Sequence, residues 1–355
     1  MSDPVETIGF VGLGAMGRPM APNLVMRGFR VRGFDVSEAG RGALGAAGGE
    51  PVASAAEAAA EVARAGDVAV IADVPEEDLV ALAKAAPGTL AVFDVREHDD
   101  ALRAGFCGSG LFHLLPSTAM LTDALAQFVV QKNWRRAFVL HGPRASDTAL
   151  ADDFAASARK FGARVVETAA LVIGNDPRRR DRSDVGLMTS SSDYDVVFLA
   201  DTGGDFGRFV PYQLSKPRPV IGTEGLLASA WDPLAERFGA PQVTHRFARL
   251  AHRDMDDGDW ATWAAVHAVA EAAIRKGARD AAAVEKALAE DQLPIDVGKG
   301  VESSFRPWDH QLRQAVMLHS ADAVIAYAPF DAFLHRRTPL DTLGVDLEES
   351  PCRPR

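Results

Sequence analysis

Residues 7–35 read TIGFVGLGAMGRPMAPNLVMRGFRVRGFD. The apolar run 8–11 suits a strand buried on both faces of a parallel sheet. It passes directly into Gly12-Leu13-Gly14-Ala15-Met16-Gly17. A helix then fits to about Arg27, with Gly28 as its stop. A second strand over 29–34 ends on Asp35. This order of strand, glycine turn, helix, strand and acid commits the chain to open with a right-handed parallel βαβ unit.

Each position has a physical reason for its residue type in a dinucleotide-binding turn. Gly12 permits the tight turn, Gly14 lets the backbone approach a pyrophosphate, and Gly17 lets helix and strand pack closely. Leu13, Ala15 and Met16 complete the turn, and free N–H groups at the helix start face the phosphates. Asp35 accepts hydrogen bonds from ribose hydroxyls and repels a 2′-phosphate, which favours NAD over NADP. The competing reading is a glycine turn inside an ordinary α/β unit. Pro22 falls inside the helix and removes an N–H, a strain of up to about 3 kcal/mol.

The remainder continues as βαβα. Strands are expected over 68–71, 90–93, 111–115, 137–140, 164–167, 196–200 and 219–221. Helices are expected over 76–85, 119–132, 148–161, 233–238, 260–275 and 281–289. Such alternation implies an α/β fold of mostly parallel, doubly wound sheets. The strands are too many for one small sheet, so two lobes are expected in the 355 residues. A net charge of −11 argues against nucleic acid, which needs clustered Lys and Arg. Arg178-Arg179-Arg180 is flanked by acids and reads as a solvated loop. No stretch approaches the ~20 apolar residues of a membrane span. The start MSDPVET has no secretory character, so a cytoplasmic location is expected from the chain as written. Cys107 and Cys352 are the only cysteines. They allow one disulfide in an oxidising compartment and two free thiols in the cytoplasm.

The wording GLGAMGRPMAPNL resembles the 3-hydroxyisobutyrate (β-hydroxyacid) dehydrogenase family. The likeness falls on Gly12 to Gly17 and Met20 to Leu24. It continues through GGEPVASAAEAAAEVARAGDVAVIADVP and fades between Val74 and Val95. The resemblance implies NAD(P) binding. The family's Asp-x-Pro-Val-Ser-Gly-Gly substrate motif, its catalytic Lys and its all-helical domain have no counterpart here. No residue is therefore assigned a catalytic role.

From about Gly66, and most clearly after Gly110, the chain resembles a type I periplasmic solute-binding protein of the leucine/amide-binding branch. FHLLPSTAMLTDALAQFVVQKNWRRAFVLHG is similar to the crossing between lobes, and RPVIGTEGL and WATWAAVHAVAEAAIRKG follow in family order. SFRPWDHQLRQAVML, FLHRRTPLDTLG and ESPCR resemble the substrate-binding component of an ABC-type system associated with pyrroloquinoline quinone-dependent alcohol oxidation. The chain reads as a hybrid of two families. The resemblance implies a first lobe of 1–117 plus about 258–304, a second lobe of 118–257 plus about 305–330, and a tail of 331–355. It also implies a periplasmic location, ABC-transporter membrane subunits as partners and a ligand in an interlobe cleft, towards which the glycine turn is expected to open.

Glu224, in Gly222-Thr223-Glu224-Gly225, matches the family's acceptor of a ligand ammonium group; a loop Glu facing solvent is the alternative. Ser117 and Thr118 read either as hydroxyls holding a ligand carboxylate or as the start of the helix that follows, with Ser117 as its cap. Asp201 and Thr202 follow a buried strand and read as cleft-lining or as turn chemistry. His113 reads as structural, and His267 as a satisfied member of a core stripe. No metal spacing is present. The resemblance also allows a Cys107–Cys352 bridge after export. The leading expectation is a solute-binding protein carrying a dinucleotide turn. The alternative is a catalytically incomplete NAD-dependent hydroxyacid dehydrogenase.

Overall fold

The computed structural model describes residues 7–13, 17–28, 30–35, 37–54, 57, 68–174, 183–290 and 293–353. The chain divides into two units, each discontinuous in sequence: Met1–Pro116 with Glu236–Gln314 and Leu347–Arg355, and Ser117–Ala235 with Ala315–Asp346. Residues 236–257 and 305–314, expected in the second lobe, belong to the first unit. The expected tail is divided between the units at Leu347.

The first unit is built on a parallel six-stranded sheet of β1 (Thr7–Val11), β2 (Arg30–Phe34), β3 (Glu50–Pro51), β4 (Ala69–Ala72), β5 (Ala91–Asp94) and β6 (Leu111–His113). Their spatial order is β3-β2-β1-β4-β5-β6. This is the order of the doubly wound dinucleotide-binding fold, whose direction reverses between β1 and β4. Period-2 alternation divides the core. Phe10 packs with Leu13, Val31 and Leu44, while its neighbour Val11 packs with Val70, Val92 and Leu79. Every residue of β4 and β5 is buried, as expected of central parallel strands.

The second unit carries the parallel sheet β10-β9-β7-β8, with β7 at Arg136–His141, β8 at Arg164–Ala170, β9 at Val196–Ala200 and β10 at Val220–Gly222. Helix Thr118–Gln131 is buried along most of its length. Phe154, from helix Ala145–Phe161, stacks on Phe198 of β9 at 3.9 Å between ring centres. Asp123 is enclosed with Lys160 at 2.8 Å and the Gly344 N–H at 2.8 Å. Burial raises its carboxyl despite these partners.

The short strands Leu227–Ser229, Val316–His319 and Val324–Ala328 form an antiparallel sheet that the βαβ reading did not foresee. The helix expected over 233–238 is irregular chain, and the helix of that region is Ala240–Ala251. Asp232 at the expected start accepts the Leu234 N–H at 2.8 Å and pairs with His319 at 2.8 Å, which closes a turn.

Candidate functional site

In both units the carboxyl ends of the parallel strands gather the polar residues, the edge where open α/β sheets hold ligands. In the first unit Gly12 follows β1 at the point of strand reversal. It takes φ +95°, and a Cβ there would overlap the Asp73 carbonyl and lie 2.9 Å from Asp73 Cβ. Gly12 N–H donates to Phe34 O at 2.8 Å and Asp73 N–H to Val11 O at 2.7 Å, so β1, β2 and β4 are stitched together at this turn. Leu13 is buried in the core. Asp35 is 8% exposed. Its carboxylate accepts the Leu13 N–H at 2.6 Å and the Ser37 N–H at 2.7 Å. It braces the turn from within. Gly17 opens helix Gly17–Met26, which contains Pro22. Gly14, Ala15 and Met16 lie outside the described residues.

Further along this edge Asp94 and His113, both 1% exposed, are 2.9 Å apart. Burial alone would raise Asp94, but the bond from His113 and the charge of Arg103 outweigh it and hold the carboxyl below its ordinary range. Burial, and then the Arg103 charge, lower His113, which therefore stays neutral and donates from Nδ1. Arg103 is itself buried, its guanidinium bound to Gln311 Oε1 and to the carbonyls of Glu97, Asp99 and Leu115. Cys107, after helix Asp100–Gly105, is joined to Cys352 by a disulfide, with Cα atoms 5.5 Å apart.

In the second unit Ser117 caps helix Thr118–Gln131, its Oγ accepting the Met120 N–H at 3.3 Å. Thr118 is the first helical residue. Asp201, after β9, accepts N–H groups of Asp205, Phe206 and Gly207. Thr202 donates its N–H at 2.7 Å and its hydroxyl at 2.6 Å to Asp147 Oδ1. Thr223 Oγ1 accepts the Asp201 N–H at 3.0 Å and donates to Leu199 O at 3.2 Å. Asp201 and Thr223 are thus bonded to each other, and Thr202 to Asp147, in one loop cluster.

Glu224 stands apart. Gly225 takes φ +77°, where a side chain would overlap the Val220 carbonyl, so the turn carries Glu224 at a set angle from β10. The Glu224 Cγ lies 3.0 Å from where a Cβ on Gly207 would sit. Among the described residues the half-buried Glu224 carboxylate has no hydrogen bond or ion pair. A carboxylate held without a partner at a sheet edge can receive a cation.

Asp147 was missed in the sequence. Burial alone would raise it, but hydrogen bonds from Thr202 and Arg144 hold its carboxyl below the ordinary range. Its signal was the acid at the third position of a helix starting just after a strand, where it accepts the Arg144 backbone N–H at 3.1 Å. His267 differs from expectation: it is half-buried, stacks on Trp263 at 5.1 Å, and its Nδ1 is enclosed with no partner among the described residues. The described residues hold no cluster of metal-ligating side chains, and no described helix is long and apolar enough to cross a membrane.

Residues 7–93 match the model of the NAD binding domain of 6-phosphogluconate dehydrogenase. The 2-(hydroxymethyl)glutarate dehydrogenase of Eubacterium barkeri is 42% identical over 81 residues, 23% of this chain and 25% of that protein. The chain spans about a quarter of the length of this curated relative. The solved structures it is similar to are of another kind. A branched chain amino acid ABC transporter periplasmic ligand-binding protein from Burkholderia xenovorans LB400 superposes with TM-score 0.70 at 14% identity, covering 97% of this chain and 98% of that one. The fold is that of the periplasmic solute-binding proteins. A periplasmic binding protein from Burkholderia mallei gives TM-score 0.66 at 16% identity, with 99% of each chain covered. The leucine-, isoleucine-, valine-, threonine-, and alanine-binding protein from Brucella ovis gives 0.66 at 12% identity, over 93% of this chain and 95% of that one. The protein is therefore a hybrid in construction: a segment similar to a dehydrogenase's NAD-binding start forms the first strands of a solute-binding fold.

Proposed function

We propose that this chain is a non-enzymatic solute-binding protein of the ABC-transporter type, and that its ligand carries an ammonium group received by Glu224. The observation that carries the reading is the half-buried Glu224 carboxylate, without a partner among the described residues, in a chain with the solute-binding fold over its whole length. Ser117, Thr118, Asp201, Thr202 and Thr223 line or brace the ligand site in this reading, with Asp147 as the fixed point of the Thr202 loop. The Cys107–Cys352 bridge suits an oxidising compartment, and so supports a periplasmic protein delivering its ligand to membrane subunits of a transporter.

Isothermal titration of the purified chain with free L-amino acids and short amides tests this. A ligand bound by the wild type is expected to bind Glu224→Gln about 30-fold or more weakly, because truncating one partner of a desolvated charge pair costs about 2–5 kcal/mol. Thermal stability is expected to stay unchanged, since the carboxylate holds nothing else. Equal affinity in both proteins would refute the assignment.

NAD binding at the glycine turn is a second reading, favoured by the family match over residues 7–93. Gly12 and the strand order fit a dinucleotide. NAD, when bound, would supply a hydride acceptor. One observation weighs against it. Both Asp35 oxygens already accept backbone N–H groups, which leaves fewer of their lone pairs for ribose hydroxyls.

A further inference from the structure

The chain carries a net charge of −11, yet residues 237–253 hold four Arg, two His and no acid. Most of that stretch is helix Ala240–Ala251, which buries only Ala240 and Thr244 of its own residues. Its exposed side carries Gln242, His245, Arg246, Arg249 and Leu250. Leu250 follows Arg246 by one helical turn, so the two side chains are neighbours. Arg246 and Arg249 make no ion pair or hydrogen bond among the described residues. Acids meet the ends of the stretch and not the helix face. Glu236 stands beside Arg237, and Arg253 is taken up by Asp256 and Asp259. Asp296, in the groove beside the helix, accepts the Gly298 N–H at 2.9 Å.

The apolar surface of the first unit gathers at the same place. Among the described residues its exposed large hydrophobic side chains are Met26, Phe238, Leu250, Val266 and Ile274. Leu250 lines a groove together with Asn23 of helix Gly17–Met26 and with Trp263 and His267 of helix Asp257–Lys276. Met26 lies one turn past Asn23, and Ile274 two turns past His267 on the same helix face. Phe238 stands just before helix Ala240–Ala251, and Val266 is next to His267. Met26, Leu250 and Ile274 are each at least 75% exposed. Scattered single apolar residues are ordinary on a surface, but a patch of them rimmed by polar groups marks an interaction site.

We propose that this face of the first unit docks on an anionic lipid surface, with Met26, Leu250 and Ile274 entering the headgroup region and Arg246 and Arg249 meeting lipid phosphates. A cationic helix face edged by apolar side chains is the composition of an interfacial helix. Apolar side chains standing singly on three helices suit a fluid layer, which closes around each of them. The negative charge elsewhere on the chain does not forbid the contact, because charges further off than about 10 Å are largely screened at 0.1 M salt. The inference is independent of what Glu224 binds.

The test floats the full chain, with no ligand added, on vesicles of phosphatidylglycerol and phosphatidylcholine in equal parts and on vesicles of phosphatidylcholine alone. Binding to the anionic vesicles is expected, at least about 10-fold tighter than to the neutral ones and weakened by added salt. The double variant Arg246→Gln with Arg249→Gln is expected to bind about 30-fold more weakly. Leu250→Gln is expected to lose about 10-fold or more. All three positions are exposed, so the melting temperature should not move. Glu224→Gln should bind vesicles as the wild type does. Failure to bind anionic vesicles, equal binding to neutral ones, or indifference to both the Arg and the Leu250 variants would overturn the proposal. So would a dimer in sedimentation, dissociated by Leu250→Gln, in a chain that ignores vesicles, which would assign the face to a second copy.

Discussion

Asp94→Ala is expected to destabilise the protein by about 3–5 kcal/mol, because it leaves a buried guanidinium and a buried imidazole N–H without their acceptor charge. Asp94 is joined to His113 at 2.9 Å, and both are 1% exposed. Arg103, 5% exposed, gives its donors to carbonyls and to Gln311 and draws opposite charge first from Asp94, then from Asp100, Asp309 and Asp99. Urea denaturation of wild type and variant at neutral pH measures the loss. The same pair dictates a pH dependence. His113 is held below its ordinary value of 6.5, so as pH falls below 6.5 the unfolded chain takes up a proton that the folded protein refuses. Stability therefore declines as pH falls from 6.5, by at most about 1.4 kcal/mol per pH unit from this group. Asp94 is held below 3.8, so its contribution is present above that value and is lost only in stronger acid. His113→Gln should flatten the slope just below pH 6.5. An unchanged slope would show that other histidines carry it.

Removing the disulfide with Cys107→Ser and Cys352→Ala is expected to cost about 2–5 kcal/mol. The bond closes a loop with a sequence separation of 245, and a long loop gains much entropy when it is opened in the unfolded chain. Cys352 is buried at 1% exposure, and the choice of Ala there avoids burying an unpaired hydroxyl. Thermal unfolding of the wild type with and without reductant should reproduce the difference between wild type and variant. Identical melting in all cases would mean that the terminal segment Leu347–Arg355 is held by packing alone.

What was legible from the sequence was local. The run 8–11 into glycine, and the apolar runs near 68, 90, 137 and 196, marked the parallel strands. Their alternation with amphipathic stretches gave two doubly wound sheets. Glycines 12 and 225 marked turns because no other residue fits their backbone. What was not legible depended on partners distant in the chain. Asp232-Pro233 has the look of a helix start, yet Asp232 pairs with His319 and closes a turn. The real helix starts at Ala240, after a glycine. The antiparallel strands are too short to show a pattern, and one of their pairings spans a long separation, Leu227 with His319. Asp35 looked like a ribose acceptor, and its bond from the Leu13 N–H appears only once the turn is folded. His267 sat in an apolar stripe, but Val266 beside it is 43% exposed, and the stripe borders a cavity.

The central claim is that the solute-binding fold, and not the dinucleotide segment within it, sets what this protein binds. Titration calorimetry of one preparation with NAD and with a panel of free L-amino acids tests it most directly. The expected result is saturable binding of at least one ammonium-bearing ligand, lost in Glu224→Gln, and no NAD binding in the micromolar range. Micromolar NAD binding with no response to any ammonium-bearing ligand would contradict it and return the protein to the dehydrogenase reading.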